Sequence, residues 1–146
     1  MKKETLRSKD AEELLKDYNI TLSKKDIVER IDGKIIYLNK IPAFFLHEQR
    51  WVPTLKYLAT NPILKQVVVD MGAIKFVVNG ADIMRPGIVE IDETIQKDEP
   101  ILIIDVAHKK PLAVGIALVD AKCMQETKTG KVVKNIHYVG DDIWKT

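Results

Sequence analysis

The side chains with the widest chemical range are three histidines, one cysteine and a pair of aspartates, and they form no recognisable active site. The histidines, His47, His108 and His137, lack the close spacing of a metal-binding motif. Asp141-Asp142 could hold a metal ion, but adjacent carboxylates are far more often a solvated turn. Cys123 has no base nearby in sequence, which favours a partly buried small hydrophobe on a strand over a nucleophile. We therefore predict no catalytic residue, no metal and no cofactor.

One segment, residues 75–88, could hold an anion with its backbone. Asn79-Gly80 allows a sharp change of direction after an apolar run, because glycine has no Cβ to clash. Residues 81–84 could form a helical turn whose free N–H groups face a phosphate, with Arg85 beside them. Pro86-Gly87 has the residue order of a type II turn. These features suit a bent nucleic-acid backbone. From the residues alone, a plain strand–turn–strand corner is the favoured interpretation, because turns outnumber sites.

The composition fits a globular chain that folds without cross-links. Of 146 residues, 46% are hydrophobic and 30% are charged, and the one cysteine cannot form an internal disulfide. A lone cysteine favours a reducing compartment. The first residues are charged, which argues against a secretory signal, and no apolar run reaches the roughly 20 residues that span a bilayer. We expect a cytoplasmic protein that does not enter membranes.

The charge is nearly balanced, with a formal net of +2. Residues 1–63 carry a net of +3, and residues 64–146 carry a net of −1. Proteins that bind long nucleic acids through counterion release usually have a larger basic excess. The charge therefore argues against an interface that follows a long phosphate backbone.

The first half of the chain predicts a small α/β unit. A helix is expected over residues 8–18, followed by a hairpin of two strands, 27–31 and 34–38, around Asp32-Gly33. A short third strand at 43–46 and a helix from Pro53 to about Thr60 complete it. Asn61-Pro62 ends this helix, because a residue before proline avoids helical geometry. We place a domain boundary near residue 63.

The second half predicts a small β module. Its strand-like runs are rich in β-branched residues and separated by turn signals. Several short strands in about 80 residues would leave aggregation-prone sheet edges unless the sheet curls into a closed or nearly closed barrel. The runs are 66–69, 73–78, 101–104, 112–119 and 136–139.

Two blocks of this half resemble the PUA domain, a small RNA-binding pseudo-barrel found on pseudouridine synthases and archaeosine transglycosylases. Residues 80–88, Gly-Ala-Asp-Ile-Met-Arg-Pro-Gly-Ile, preceded by 72–75, resemble its signature. Residues 111–117 resemble its glycine-containing strand. More specifically, residues 53–55, 70–87 and 135–144 resemble the malignant-T-cell-amplified, or translation-machinery-associated, family.

The resemblance implies an α+β fold in which a small N-terminal α/β (pre-PUA) domain, residues 1–63, is packed on a C-terminal PUA pseudo β-barrel, residues 64–146. It also implies an RNA groove between the 80–87 corner and the last strand. Lys75 and Arg85 would contact phosphate, and Met84 would pack against a base. The full set of expected RNA-binding residues is Lys75, Asn79, Gly80, Ala81, Asp82, Met84, Arg85, Pro86, Gly87, Gly115 and His137.

The function that the resemblance implies is recognition of tRNA or of a structured RNA 3′ end, without catalysis. It places the protein at the small ribosomal subunit in translation initiation or recycling, with a possible partner that carries an initiation-factor-like domain. One alternative is an accessory module that guides an RNA-modification enzyme. Another is a small enzyme with a site between the two halves, although no nucleophile, base or ligand set can be assembled for it.

Overall fold

A computed structural model describes all 146 residues. The chain divides into two compact units, Met1–Ile63 and Leu64–Thr146, each with its own sheet and its own apolar core. No helix is long and apolar enough to cross a membrane.

The N-terminal unit is built on a five-stranded antiparallel sheet whose strands are neighbours in chain order. Its helices are short: α1 (Ser8–Leu14), a 3-10 turn (Lys16–Tyr18) and α2 (Leu55–Leu58). Ala11 of α1 and Leu15 just after it are fully buried against the sheet, where Phe44 fills the centre of the core. The strands are β1 (Lys3–Leu6), β2 (Val28–Ile31), β3 (Ile35–Leu38), β4 (Ile41–His47) and β5 (Arg50–Pro53).

Tight turns with two left-handed residues join β2 to β3, β3 to β4 and β4 to β5. The expected hairpin at Asp32-Gly33 is confirmed, with φ angles of 53° and 67°. The turns at Asn39-Lys40 and Glu48-Gln49 also have positive φ at both positions. Neither contains glycine, so these two turns carry no turn signal in the residues: L residues adopt this conformation only at a cost.

The C-terminal unit is a curled, mixed sheet of six strands that forms a half-barrel. The strand order is β7-β11-β10-β9-β6-β8, and only the β6–β9 pair is parallel. Two short helices, α3 (Ile74–Val77) and α4 (Ala121–Glu126), accompany it. The strands are β6 (Gln66–Val69), β7 (Ile83–Met84), β8 (Ile88–Ile91), β9 (Pro100–Asp105), β10 (Pro111–Ala117) and β11 (Lys131–Tyr138). This architecture confirms the expected α+β class.

The expected strand at 73–78 is wrong, because this segment is helical. A 3-10 turn (Met71–Ala73) leads directly into α3. The Asp70 side chain starts the turn: its Oδ1 accepts a hydrogen bond from the Ala73 N–H at 3.1 Å. Val77 is buried in the core and Ile74 packs against it, so burial outweighs the β preference of these side chains.

Two further expectations in the corner also need correction. Residues 81–84 form no helical turn, because Ile83 and Met84 pair with Val133 and Lys131 as β7. Pro86-Gly87 is not a type II turn but part of a 3-10 turn, Arg85–Gly87, and Gly87 does not have a positive φ. Space is tight there instead: a Cβ on Gly87 would lie 3.3 Å from the Ala73 Cβ, so a larger residue would have to displace Ala73 by a few tenths of an ångström.

Candidate functional site

A groove of about 640 Å³ opens on the C-terminal unit at this corner. The volume falls inside the roughly 300–1,000 Å³ of small-ligand pockets. Three segments line it: the turn and helix after β6, the strand β7, and the Pro86 turn, with Lys131 of β11 at one side. The lining residues are Asp70, Gly72, Ala73, Phe76, Val77, Ala81, Asp82, Ile83, Met84, Pro86, Gly87 and Lys131.

Large apolar side chains of the groove stand open to solvent. Phe76 is 58% exposed and Met84 is 49% exposed, although both lie in a domain with a well-packed core. Met71, at the start of the same helical segment, is also exposed. An exposed apolar cluster rimmed by polar residues marks a binding surface. An exposed ring and an exposed thioether are groups on which a flat ligand, such as an unstacked base, can pack.

Short-range bonds fix the helix that carries Phe76. Asp70 caps its start, and the Asn79 side-chain amide donates to the Lys75 carbonyl at its end, with an Nδ2–O distance of 2.7 Å. Gly80 then reverses the chain with a φ of 91°. The Tyr138 ring packs so closely that a Cβ on Gly80 would lie 3.0 Å from it. Glycine is therefore required at position 80 both for the positive φ angle and for the space that the Tyr138 ring occupies.

Two lysines supply the positive charge near the apolar surface. The Lys75 Nζ lies 5.2 Å from the centroid of the Phe76 ring, and the Lys131 Nζ lies 2.8 Å from an Asp82 carboxylate oxygen. Burial raises the pKa of Asp82, but hydrogen bonds from Lys131 and the Asn135 N–H outweigh it and lower the pKa overall. The groove thus offers an apolar centre, two carboxylates (Asp70 and Asp82) and the Lys131 cation in its lining, with Lys75 beside it.

Asn135 of β11 holds the segment between α3 and β7, a role that its residue type did not predict. Its side-chain amide donates to the carbonyls of Val77 and Ala81, both at 3.0 Å. Its backbone N–H donates to Asp82 Oδ1 at 2.9 Å. The three bonds tie the last strand to residues 77–82. Its Oδ1 is buried and has no hydrogen-bond partner in the structure.

Arg85 points its guanidinium at the main chain of its own unit. Its Nε donates to the Met124 carbonyl at 2.6 Å, and its Nη1 donates to the Ile88 carbonyl at 3.0 Å. These charged donors join the corner to the end of α4. The geometry therefore gives Arg85 a structural role, which engages two of its donors and competes with the phosphate contact expected of it.

Gly115 and His137 lie in the interior of the unit. A Cβ on Gly115 would come 2.5 Å from Val133 Cγ1 and 2.8 Å from the Lys134 carbonyl, so a bulge between strands requires this glycine. His137 is 1% exposed, and its Nδ1 lies 2.9 Å from the Asp141 carboxylate. Asp141 also accepts from the Tyr138 and Trp144 N–H groups. It therefore anchors the tail of the chain.

The structure gathers only part of the expected set around the groove. Ala81, Asp82, Met84, Pro86 and Gly87 line it, and Lys75, Asn79 and Gly80 shape the helix beside it. Phe76, Asp70 and Lys131 also line it but were not expected. The sequence analysis expected Phe76 on a strand. The signal for a helix that exposes the Phe76 ring was Asp70, whose side chain caps the turn three residues before Ala73.

The half-barrel and its corner groove define a class of protein. Residues 65–139 match the PUA domain, and residues 2–61 match a domain of unknown function (DUF1947). A hypothetical protein from the hyperthermophilic archaeon Pyrococcus horikoshii OT3 is 32% identical, with a TM-score of 0.83 over 99% of this chain and 98% of that one. A PUA domain from Aeropyrum pernix K1, solved as a tartrate complex, is 27% identical, with a TM-score of 0.83 over 98% and 89%. The class is that of RNA-binding PUA-domain proteins.

Relatives in sequence narrow the class to a family. An uncharacterized protein of Methanocaldococcus jannaschii is 45% identical over 93% of this chain and 86% of its own length. Malignant T-cell-amplified sequence 1 of Rattus norvegicus is 33% identical over 86% and 74%. Translation machinery-associated protein 20 of Schizosaccharomyces pombe is 39% identical over 65% and 55%. The chain belongs to the family of malignant T-cell-amplified sequence and translation machinery-associated proteins.

Proposed function

We propose that the groove beside Phe76 binds the unpaired 3′ end of tRNA or of another structured RNA, without catalysis. On this proposal the chain acts in the cytoplasm at the small ribosomal subunit, in initiation or recycling, and can work with a partner that carries an initiation-factor-like domain. Residues 64–146 form the RNA-binding domain and residues 1–63 form a second domain. The observation that carries the proposal is the exposed Phe76 and Met84 pair in an otherwise well-packed domain.

The chemistry of the groove favours bases over a long phosphate chain. Sequence-specific RNA recognition relies on unstacked bases laid against aromatic planes, and each stacked base contributes about 1–3 kcal/mol. Lys75 and Lys131 can neutralise only one or two phosphates beside the ring. The net charge of −1 over residues 64–146 supports the same conclusion. A short single-stranded end combines few phosphates with free bases.

Equilibrium binding of the purified chain to mature tRNA, and to the same tRNA lacking its terminal CCA, tests this proposal. The measurement is made at two salt concentrations, because the salt slope counts the phosphates that are neutralised. We expect a clear preference for the intact end and a shallow slope, of about one or two. Equal affinity for the two RNAs, or a steep slope, would contradict end recognition.

The translation role is tested separately by co-sedimentation with purified small ribosomal subunits. We expect the chain to sediment with the subunit and to be released by excess mature tRNA if the two compete for the groove. Retrieval of an RNA-modifying enzyme in place of ribosomal subunits would support the accessory-module alternative instead. Turnover of RNA by the purified chain would support the enzyme alternative.

A further inference from the structure

Asp70 brings a carboxylate to the RNA groove, and the structure holds this residue from two sides. Its backbone N–H donates to the Gly87 carbonyl at 2.9 Å, and its Oδ1 accepts from the Ala73 N–H at 3.1 Å. These bonds fix Asp70 between the Pro86 turn and the start of the helical segment that carries Phe76. The position of the carboxylate is therefore set before a ligand binds.

The second oxygen of this carboxylate, Oδ2, has no partner in the protein. The buried side-chain polar atoms without a partner are Arg30 Nε and Asn135 Oδ1, so Oδ2 of the half-buried Asp70 is open to solvent. Asp82, the other carboxylate of the lining, is already engaged by the Lys131 Nζ at 2.8 Å and by the Asn135 N–H at 2.9 Å. Asp70 Oδ2 is therefore the carboxylate oxygen of the groove that is left for a ligand.

A free carboxylate oxygen restricts the groups of a ligand that can lie against it. It accepts hydrogen bonds and donates none, so an amine or a hydroxyl suits it, whereas a carbonyl or phosphate oxygen does not. Two carboxylates and one lysine line the groove, and this charge also disfavours phosphate. The terminal nucleotide of an RNA fits these limits best, because a single phosphate joins it to the chain and its ribose carries two free hydroxyls.

We propose that Asp70 is a specificity-determining residue of the RNA groove, whose Oδ2 accepts a hydrogen bond from the terminal nucleotide. The donor is the exocyclic amine of the base or a ribose hydroxyl, which present the same chemistry to a carboxylate. This inference rests on the proposed function, because the base must lie on Phe76 for Asp70 to reach the nucleotide. It adds what stacking does not supply: an aromatic ring accepts any base, and Asp70 makes the groove favour an end that carries a donor.

Three RNA oligonucleotides that differ only in the last nucleotide test the inference by equilibrium binding to the full chain. One ends in adenosine, one ends in purine riboside, which lacks the amine, and one ends in 2′,3′-dideoxyadenosine, which lacks both hydroxyls. We expect one of the two analogues to bind the wild type about tenfold more weakly than adenosine, which is the effect of one hydrogen bond to a charged group. The analogue that loses affinity identifies the donor.

Asp70→Asn keeps the cap and changes the free atom, because asparagine caps helices as well as aspartate does and places an amide N–H₂ where Oδ2 stood. The loss of affinity with the weaker analogue should then shrink by about threefold or more. Asp120→Asn is the matched control, since the exposed Asp120 caps α4 by accepting from the Cys123 N–H at 2.8 Å and does not line the groove. It removes the same charge and should leave the loss unchanged. Urea unfolding of both variants verifies that the caps are kept.

Three results would overturn the inference while Phe76→Ala still weakens binding of the adenosine end. Both analogues would bind the wild type as tightly as adenosine does, or the weaker analogue would lose as much affinity with Asp70→Asn as with the wild type. The third result is an equal change with Asp120→Asn, since net charge alone would then explain it. Equal binding of the adenosine end to wild type and Phe76→Ala would overturn both this inference and the proposed function.

Discussion

At the scale of single residues, the corner separates side chains that can meet a ligand from side chains that hold the fold. Phe76, Met84 and Lys131 are exposed at the groove. Arg85 and His137 use their polar atoms inside the unit, on main-chain carbonyls and on the Asp141 carboxylate. Residue type alone could not make this distinction, because an arginine next to a glycine-rich turn looks equally suited to phosphate and to carbonyl oxygens.

Arg85→Ala should lower stability more than RNA affinity. It removes two charged hydrogen bonds to the Met124 and Ile88 carbonyls, each worth about 1.5–3 kcal/mol with partial compensation by water. Urea unfolding should show a loss of about 2 kcal/mol, and the salt slope of RNA binding should not change. A slope lower by one at full stability would show instead that Arg85 contacts phosphate.

Lys131→Gln should act on RNA binding through charge. Its ammonium group lies beside the groove, half-exposed and bonded to Asp82. We expect weaker binding of all RNAs and a salt slope lower by about one. Lys128→Gln is the matched control, since Lys128 is exposed three positions earlier and does not line the groove. Equal effects of the two substitutions would mean that only net charge matters.

At the scale of elements, the sequence predicted strands and hairpins well where local chemistry and burial agree. The Asp32-Gly33 hairpin and the strands around Ile103 and Val114 follow from turn residues and β-branched runs. The helix α3 could not be predicted in this way, because Ile74 and Val77 prefer strands and only the Asp70 cap and core packing make them helical. Since Phe76 lies on α3, this one error hid the centre of the site.

The attachment of β11 to the Gly80 segment predicts a stability effect at Asn135. Asn135→Ala loses two side-chain bonds to the Val77 and Ala81 carbonyls, and we expect about 1–3 kcal/mol less unfolding free energy. Asn135→Asp should be worse, because it places a carboxylate against two carbonyl oxygens. Urea denaturation measures both variants. If Asn135→Asp is as stable as the wild type, these bonds do not hold residues 77–82 to β11.

The same attachment predicts a pH dependence through Asp82, whose folded pKa is lowered by the bonds from Lys131 and Asn135 despite the opposing effect of burial. A carboxyl group with a lowered folded pKa stabilises above its unfolded pKa of about 4 and loses that contribution as the pH falls through the folded value. The stability gap between wild type and Asp82→Asn should be constant near neutral pH and shrink below about pH 4. Chemical denaturation from neutral to acid pH measures it, and a gap that persists unchanged in acid would contradict this role.

At the scale of the whole molecule, the two units differ in net charge. The C-terminal unit has a net charge of −1 and an apolar groove, which suits a short RNA end. The N-terminal unit has a net charge of +3. The charge split was visible in the sequence. The groove was not, because it is assembled from segments that meet only in the fold.

The most direct test of the central claim is a double-mutant cycle between Phe76 and the RNA end. Binding of wild type and Phe76→Ala is measured with mature tRNA and with tRNA lacking CCA, and Val89→Ala, which truncates an exposed side chain outside the groove, is the control. If the end stacks on this ring, Phe76→Ala should cost about 1–3 kcal/mol with the intact tRNA and almost nothing with the truncated one. Equal losses with both RNAs would show that the 3′ end does not lie in this groove.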